Sequence, residues 1–509
     1  MTTERKARLK YEIKLGIKYV AYIWIATGCV AAVAFALSQE SLERQFPTPH
    51  EWSFQTRLHF RGGSCEQDET DPTHTVNRLA VMRWFEGCLE RLEDPKIDGK
   101  DLKDAPSDCP PGTRDITAKS EEWRRGYYEA MMHYAKAAEQ TDGWVMDKSR
   151  GIIFPGDVVV GPSNPKPKPL MPGFKGAPRE ENCEPAFESA DAIYLRILST
   201  EGFNNRQKIE AGLAYATWLE HKGITGPAAI VYEDALQLAV SEKQALLPPT
   251  QQQIVDPKTW VLNEAAGLPS ANILKCLTAY ATFRARSGDI SSALPILVSI
   301  LKARRSLPEP SDPSVQLRLA AQRQREKDSS STGILGKLTG VLTERPYPPP
   351  PEDGTEPPIR DPKEMCEEAA LSLHIGEIMY TSSDATREEG LGWTREAVDI
   401  AEEQLHRLGK AKRDRAARKT CRECLGSGLD NWSTMVKRLA KEEAARKEEA
   451  ESKKAKASWL GGLWGVGKQE DLTRWLAEEQ VIAERTRRSQ KLLDELDQPA
   501  HIVSSILTA

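Results

Sequence analysis

The sequence predicts an all-α chain in which a single N-terminal transmembrane helix is followed by an irregular α-solenoid. Three observations lead there. The run from Tyr19 to Leu37 carries no charge. Apolar residues recur at helical spacing along most of the remaining chain. Three of those later segments share one plan, a helix, a Gly-marked turn and a second helix.

Residues 1–18 form a basic segment containing Arg5, Lys6, Arg8, Lys10, Lys14 and Lys18. At 1.5 Å per residue, the helix over 19–37 covers roughly 29 Å, about one hydrocarbon core. The run is too long for a signal-peptide core, and Ser38, Gln39 and Glu40 make a poor cleavage site. A buried core helix is the alternative. Tyr19, Tyr22 and Trp24 stand near the basic end, where interfacial rings are comfortable, and Leu37 closes the span. These four are the expected membrane-contacting residues. The basic flank stays on the side of synthesis, so everything after Leu37 is expected on the opposite face. The same flank suits mitochondrial import without cleavage, because Glu4 and Glu12 argue against a cleavable transit peptide. A net charge of -5 asks for no nucleic acid.

Beyond a juxtamembrane linker (38–72), repeats are expected over 73–306 and 363–440. Residues 73–95 read as an amphipathic helix with Val76, Leu79, Ala80, Trp84, Cys88, Leu89 and Leu92 on one face, and 120–140 as another. The Pro/Gly-dense stretch 151–180 reads as a long loop. The Pro-rich insertion 307–362 buries little by composition and should be partly disordered. Within it, the apolar 334–342 either docks on the helices or touches a partner or the membrane. Residues 441–470 comprise a charge-laced helix and a Trp/Gly loop, whose 458–467 either rests on lipid or folds back onto the core. The tail 471–509 supplies a capping helix.

The helix pairs lie at 209–239, 273–304 and 371–405. Their second helices carry the stripes Ala228/Tyr232/Ala235/Ala239, Ile290/Ala293/Leu294/Leu297/Val298/Leu301 and Trp393/Ala397/Ile400/Ala401/Leu405. A small residue lets antiparallel helices approach, and a large one four residues on fills the groove beside it. Pro295 departs from this plan by sitting inside a proposed helix, where it bends the axis unless it lies in the first turn. The pairs resemble tetratricopeptide repeats, although their intervals exceed the repeat length of about 34 residues. Such arrays bind peptides along a concave face. The first-helix residues Tyr215, Trp218, Thr278 and Phe283 are the candidate partner-binding set, with core packing as the alternative for each.

Catalytic chemistry finds little support. The eight histidines are isolated, and no Gly-x-Ser-x-Gly elbow occurs. Residues 462–469 have P-loop glycine and lysine spacing, but Gln469 replaces the magnesium-binding hydroxyl and no strand precedes them. The nine cysteines are widely spread and read mostly as small apolar core residues. Cys421 and Cys424 form the one close pair, two ligands where a structural zinc site needs four. Read as helix, Leu425, Leu429, Trp432, Val436 and Leu439 make an apolar stripe that places Cys421 and Cys424 on the packing side. A redox dithiol is the rival. No enzyme activity, cofactor or metal is expected.

The basic start, the apolar span, the following QFPTPHEWSF (45–54), and the YEDALQLA and SGDISSAL helix starts together carry one further resemblance. The chain resembles a fungal mitochondrial inner-membrane adaptor subunit of the i-AAA protease. The resemblance implies an N-terminus in the matrix and a helical domain in the intermembrane space. It also implies delivery of unfolded or misfolded membrane proteins to that protease. A tetratricopeptide-bearing import or chaperone receptor of the outer membrane is the alternative.

Overall fold

The computed structural model describes residues 3–68, 75–106, 108–170, 173, 176–248, 252–313, 315–320, 347–409, 415–457 and 474–497. The chain is mostly helical and begins with one long apolar helix. It divides into two compact units, one ending at Trp218 and rejoined by the segment ending at Pro351, the other holding Leu219–Ser330 and everything from Glu352.

The first unit opens with α1 (Thr3–Gln45), a 43-residue helix whose apolar window is wholly unburied. Tyr19, Tyr22, Trp24 and Leu37 are all exposed along it. The expected linker is different in kind: the helix runs to Gln45, a packed turn follows, and α2 (Phe54–Gln67) begins at once. In that turn Thr48 and Pro49 are buried, and Trp52 packs edge-on to Phe60 with ring centroids 5.7 Å apart. Gly126 of α4 (Glu121–Gln140) makes room, since a Cβ there would meet Pro49 and Trp52 at 2.6 Å. Helix α3 (Arg78–Glu93) packs on both α2 and α4, and α5 (Ala190–Ser199) packs on α4. With two neighbours, α3 buries Val81, Met82 and Phe85 beside Cys88, Leu89 and Leu92. The expected Val76, Leu79, Ala80 and Trp84 are only half-buried, because the packed face is broader and turned from the single stripe.

Two small sheets depart from the all-α expectation. β1 (Lys103–Asp104) pairs antiparallel with β2 (Arg114–Asp115). β3 (Val145–Asp147) lies between β4 (Ile152–Phe154) and β5 (Cys183–Pro185), with Val145 opposite both Phe154 and Pro185. The Pro/Gly-dense loop is thus partly folded, tied by Val160 N–H to Pro178 C=O and Glu180 N–H to Val160 C=O. Helix α6 (Asn205–His221) carries the chain into the second unit.

That unit continues with α7 (Thr225–Ala245), α8 (Ala271–Arg286), α9 (Ile290–Arg305), α10 (Pro362–Ser382), α11 (Arg387–Leu408), α12 (Arg415–Ala457) and α13 (Arg474–Asp497). The local signals are legible. The Asp289 side chain caps α9 by accepting from Ser292 N–H, just after Gly288 turns the chain at φ 89°. Asp361 likewise caps α10, with Pro362 in its first turn. From α7 onward each helix packs on the next, but α10 also touches α12, so the last helices close on one another rather than stacking strictly in line. The segment expected as a disordered insertion is ordered at its end: Gly354 and Glu356 carbonyls accept from Asn272 and Ala271 N–H, covering the start of α8.

The α7 stripe is buried as expected. In α9, however, Ala293, Leu297 and Leu301 are buried with Ile296 and Ile300, while Ile290 and Leu294 are half-buried and Val298 is exposed. The helix therefore has two apolar faces, only one of them packed. In α11, Ala397, Ala401 and Leu405 are buried, and Trp393 lies under the Arg305 guanidinium, 5.7 Å from it. The charged stretch after 440 belongs to one uninterrupted 43-residue helix, α12. Residues 334–342, 458–467 and 462–469 lie outside the described residues.

Candidate functional site

The open face of α9 is the site. The loop 252–264 lies against it and forms a short bridge between Val255 and Leu262. Leu262 N–H donates to Ser299 Oγ at 3.3 Å, and Ser299 Oγ–H donates in turn to the Ile296 carbonyl at 2.7 Å, so helix and loop are bonded across the groove. At the tip of the loop Trp260 is held at φ 59°, the left-handed region that a bulky residue rarely adopts. The turn that holds it is closed by Trp260 N–H to Asp256 C=O and Asp256 N–H to Val261 C=O. Lys258 N–H and the Thr259 hydroxyl also donate to the Asp256 carboxylate, holding its pKa below the usual range.

Two adjoining cavities result, of about 970 Å³ and 680 Å³, which share Val261, Leu262, Ser291 and Pro295 in their walls. The larger is walled by Trp260 and Tyr280, whose rings meet edge-on at 6.2 Å. The smaller is lined by Ile290, Leu294 and Val298, with Lys302 paired to Glu264 at 3.2 Å at its rim. Together they follow α9 from Ile290 to Lys302, roughly 18 Å of helix. Pro295 has no N–H, so the Ser291 carbonyl lacks the donor that would normally close its helical turn. Under the larger cavity Arg284 donates to Tyr280 Oη at 2.6 Å and to Asp289 at 2.8 Å. Tyr280 donates to Glu233 at 2.7 Å. Burial, with Glu233 beside it, pushes the Tyr280 phenol up to about 12. Neither cavity is lined by His or Cys. The smaller cavity has an apolar floor, the larger adds Gln252, Gln253, Asp256, Lys258 and Arg284 to its wall, and both have the size of a ligand site.

The four partner-binding candidates fall in different units, two in each. Tyr215 is buried and stacks on Tyr194 with centroids 5.4 Å apart, and Trp218 is buried. In the other unit, Phe283 is buried against Tyr232 at 5.0 Å, and the half-buried Thr278 donates its hydroxyl to the Leu274 carbonyl. Tyr215, Trp218 and Phe283 take part in packing, and the open apolar surface described above belongs to a second helix and a loop. Among the described residues no cluster of three or more His, Cys, Asp or Glu has the arrangement of a metal site.

Cys421 and Cys424 lie on α12 as the stripe indicates, with Leu425, Leu429, Trp432, Val436 and Leu439 buried beside them. The reading of both as unpaired core thiols is corrected: Cys421 is bonded to Cys366 of α10, while Cys424 is a buried free thiol. Burial pushes the Cys424 thiol up to about 12, which suppresses the nucleophilic thiolate. Gly428 permits a close approach, since a Cβ there would meet Val398 at 2.8 Å, whereas Gly426 faces open space.

The chain matches no known family model, no curated protein and no solved structure.

Proposed function

We propose that the chain is a non-enzymatic, membrane-anchored adaptor. In this reading it binds unfolded or partner proteins through a tetratricopeptide-like solenoid and presents them to the mitochondrial i-AAA protease for turnover. The observation that carries the binding role is the groove along α9, apolar and open on a helix whose other face is fully packed. Apolar stretches of unfolded membrane proteins are the chemistry such a surface accepts, as amphipathic or extended segments laid against it. The exposed apolar length of α1 supports tethering to a bilayer, which raises the effective concentration of partners in the same membrane. The buried Cys366–Cys421 disulfide favours an oxidising compartment for the second unit. That supports the intermembrane space over the cytosolic face that an outer-membrane receptor would require.

The test is a mild-detergent pull-down of the intact chain from mitochondria, with mass spectrometry of what co-purifies. Near-stoichiometric recovery of an inner-membrane AAA protease supports the adaptor. Recovery of translocase subunits or cytosolic chaperones without the protease overturns it in favour of an outer-membrane receptor.

A further inference from the structure

We infer that the first turn of α2, led by Phe54, is a second membrane contact, seated in the lipid interface beside α1. The inference rests on the reading of α1 as a membrane span. Three contacts set the alignment of the two helices. The Phe54 ring meets the Phe35 ring edge-on at 6.5 Å. Seven residues further along α2, Arg61 donates to Glu43 at 2.6 Å. At the end of α2, Gln45 donates to Asp68 at 3.0 Å. From Phe35–Phe54 to Gln45–Asp68 the partners advance along both helices, with Arg57 and Arg61 reaching Glu43 between them, so the N-terminus of α2 is the end nearest the apolar run.

Phe35 lies two residues inside Leu37, or about 3 Å along the axis. The turn 46–53 therefore brings the chain back toward the bilayer before α2 starts. Phe54 arrives there still 55% exposed, a large ring touching Phe35 on one side and open on the rest. Asp98 accepts from Ser53 N–H, Ser53 Oγ–H and Thr56 Oγ1–H, which ties the loop carrying the exposed Ile97 to the same end of α2. Two apolar side chains thus sit at the level of the hydrocarbon–headgroup boundary, the layer in which interfacial segments bury their apolar face. The charges around them suit the headgroup layer: Glu51, Lys96, Lys100 and Asp101 are all exposed. The occupant is the phospholipid of the bilayer that α1 crosses.

The experiment uses the full chain in phosphatidylcholine nanodiscs, with p-benzoyl-phenylalanine placed singly at positions 24, 54 and 65. Lipid adducts are read by mass spectrometry after illumination. Position 54 is exposed, so the substitution leaves the core untouched. Position 65 is also exposed on α2 but about 16 Å further along it. Adducts at 24 and 54 with none above background at 65 are expected. Adducts at 24 alone overturn the second contact and leave the anchor standing. Adducts at 54 and 65 alike overturn the alignment, and none at 24 overturns the anchor reading itself.

Discussion

The disulfide between Cys366 and Cys421 makes the sharpest quantitative claim. It joins the second turn of α10 to the second turn of α12 across 55 residues of sequence, and both cysteines are fully buried. On the chain-entropy account, cross-linking a loop of that length removes about 14 cal/mol/K from the unfolded ensemble, or about 4 kcal/mol at 25 °C. The value depends only logarithmically on loop length, so the choice of loop boundaries moves it little. Replacing both cysteines by alanine should therefore lower the stability of the second unit by about 4 kcal/mol. Urea titration followed by pulse proteolysis of the full-length protein in detergent reads this directly. Dithiothreitol should reproduce the loss in the parent protein and leave the double variant unchanged. Alkylation mapping adds a check: without reductant at pH 8 in native buffer, residues 366, 421 and 424 should all be protected. Denaturation should then expose 424 alone. Labelling of 366 and 421 in denaturant without reductant, or equal urea midpoints for oxidised and reduced protein, would refute the clamp.

Other expectations follow from single contacts. A Cβ at Gly376 would stand 2.7 Å from the Gly390 carbonyl oxygen, so Gly376→Val forces α10 and α11 apart and should cost about 3 kcal/mol in a urea titration. Burial holds His133, stacked on Phe85, down to about 4, whereas the unfolded chain takes up the proton near 6.5. Stability contributed by the neutral ring is complete above pH 6.5 and is lost as the pH falls toward 4, by about 2 kcal/mol at pH 5; the melting temperature of His133→Gln should accordingly fall less between pH 7 and 5. Glu43→Gln leaves the buried Arg61 without its counter-charge and should cost about 3 kcal/mol, seen as faster amide exchange in α2. Leu294→Asp should cut recovery of captured polypeptide at least tenfold, about 1.4 kcal/mol, with the urea midpoint little changed because the side chain is half-exposed.

What could be read in the sequence depended on whether the apolar positions of a helix coincide with its packed side. The α12 stripe from Cys421 to Leu439 was legible because its partners all lie on one side, so period and burial coincide. In α9 two apolar faces overlap in the sequence. Ile290, Leu294 and Val298 follow i, i+4, i+8 as faithfully as the packed residues do, and periodicity cannot say which face stays open. The excess of apolar positions was the available signal. Tyr215 and Phe283 are buried, and a large ring on a first helix fits a binding face and an inter-helix packing layer equally well in the sequence. Cys366 gave no sign of its partner, since only the packing of α10 on α12 brings the two together. The two- and three-residue strands carry no alternation long enough to detect. Trp260 had no local cue, because its backbone is set by Asp256 and Val261 closing the turn around it.

The clamp between α1 and α2 has a mechanical consequence. Glu43 holds Thr48, Arg57 and Arg61 at once, and α1 continues as helix from the apolar run into that clamp without a break. Such a joint transmits angle. If the span leans by about 20°, a common tilt for single helices, α2 leans with it, and a point about 30 Å past the clamp is displaced sideways by about 10 Å. On the proposed reading of α1 as a membrane span, bilayer thickness acting through that tilt becomes a setting for where the first unit reaches.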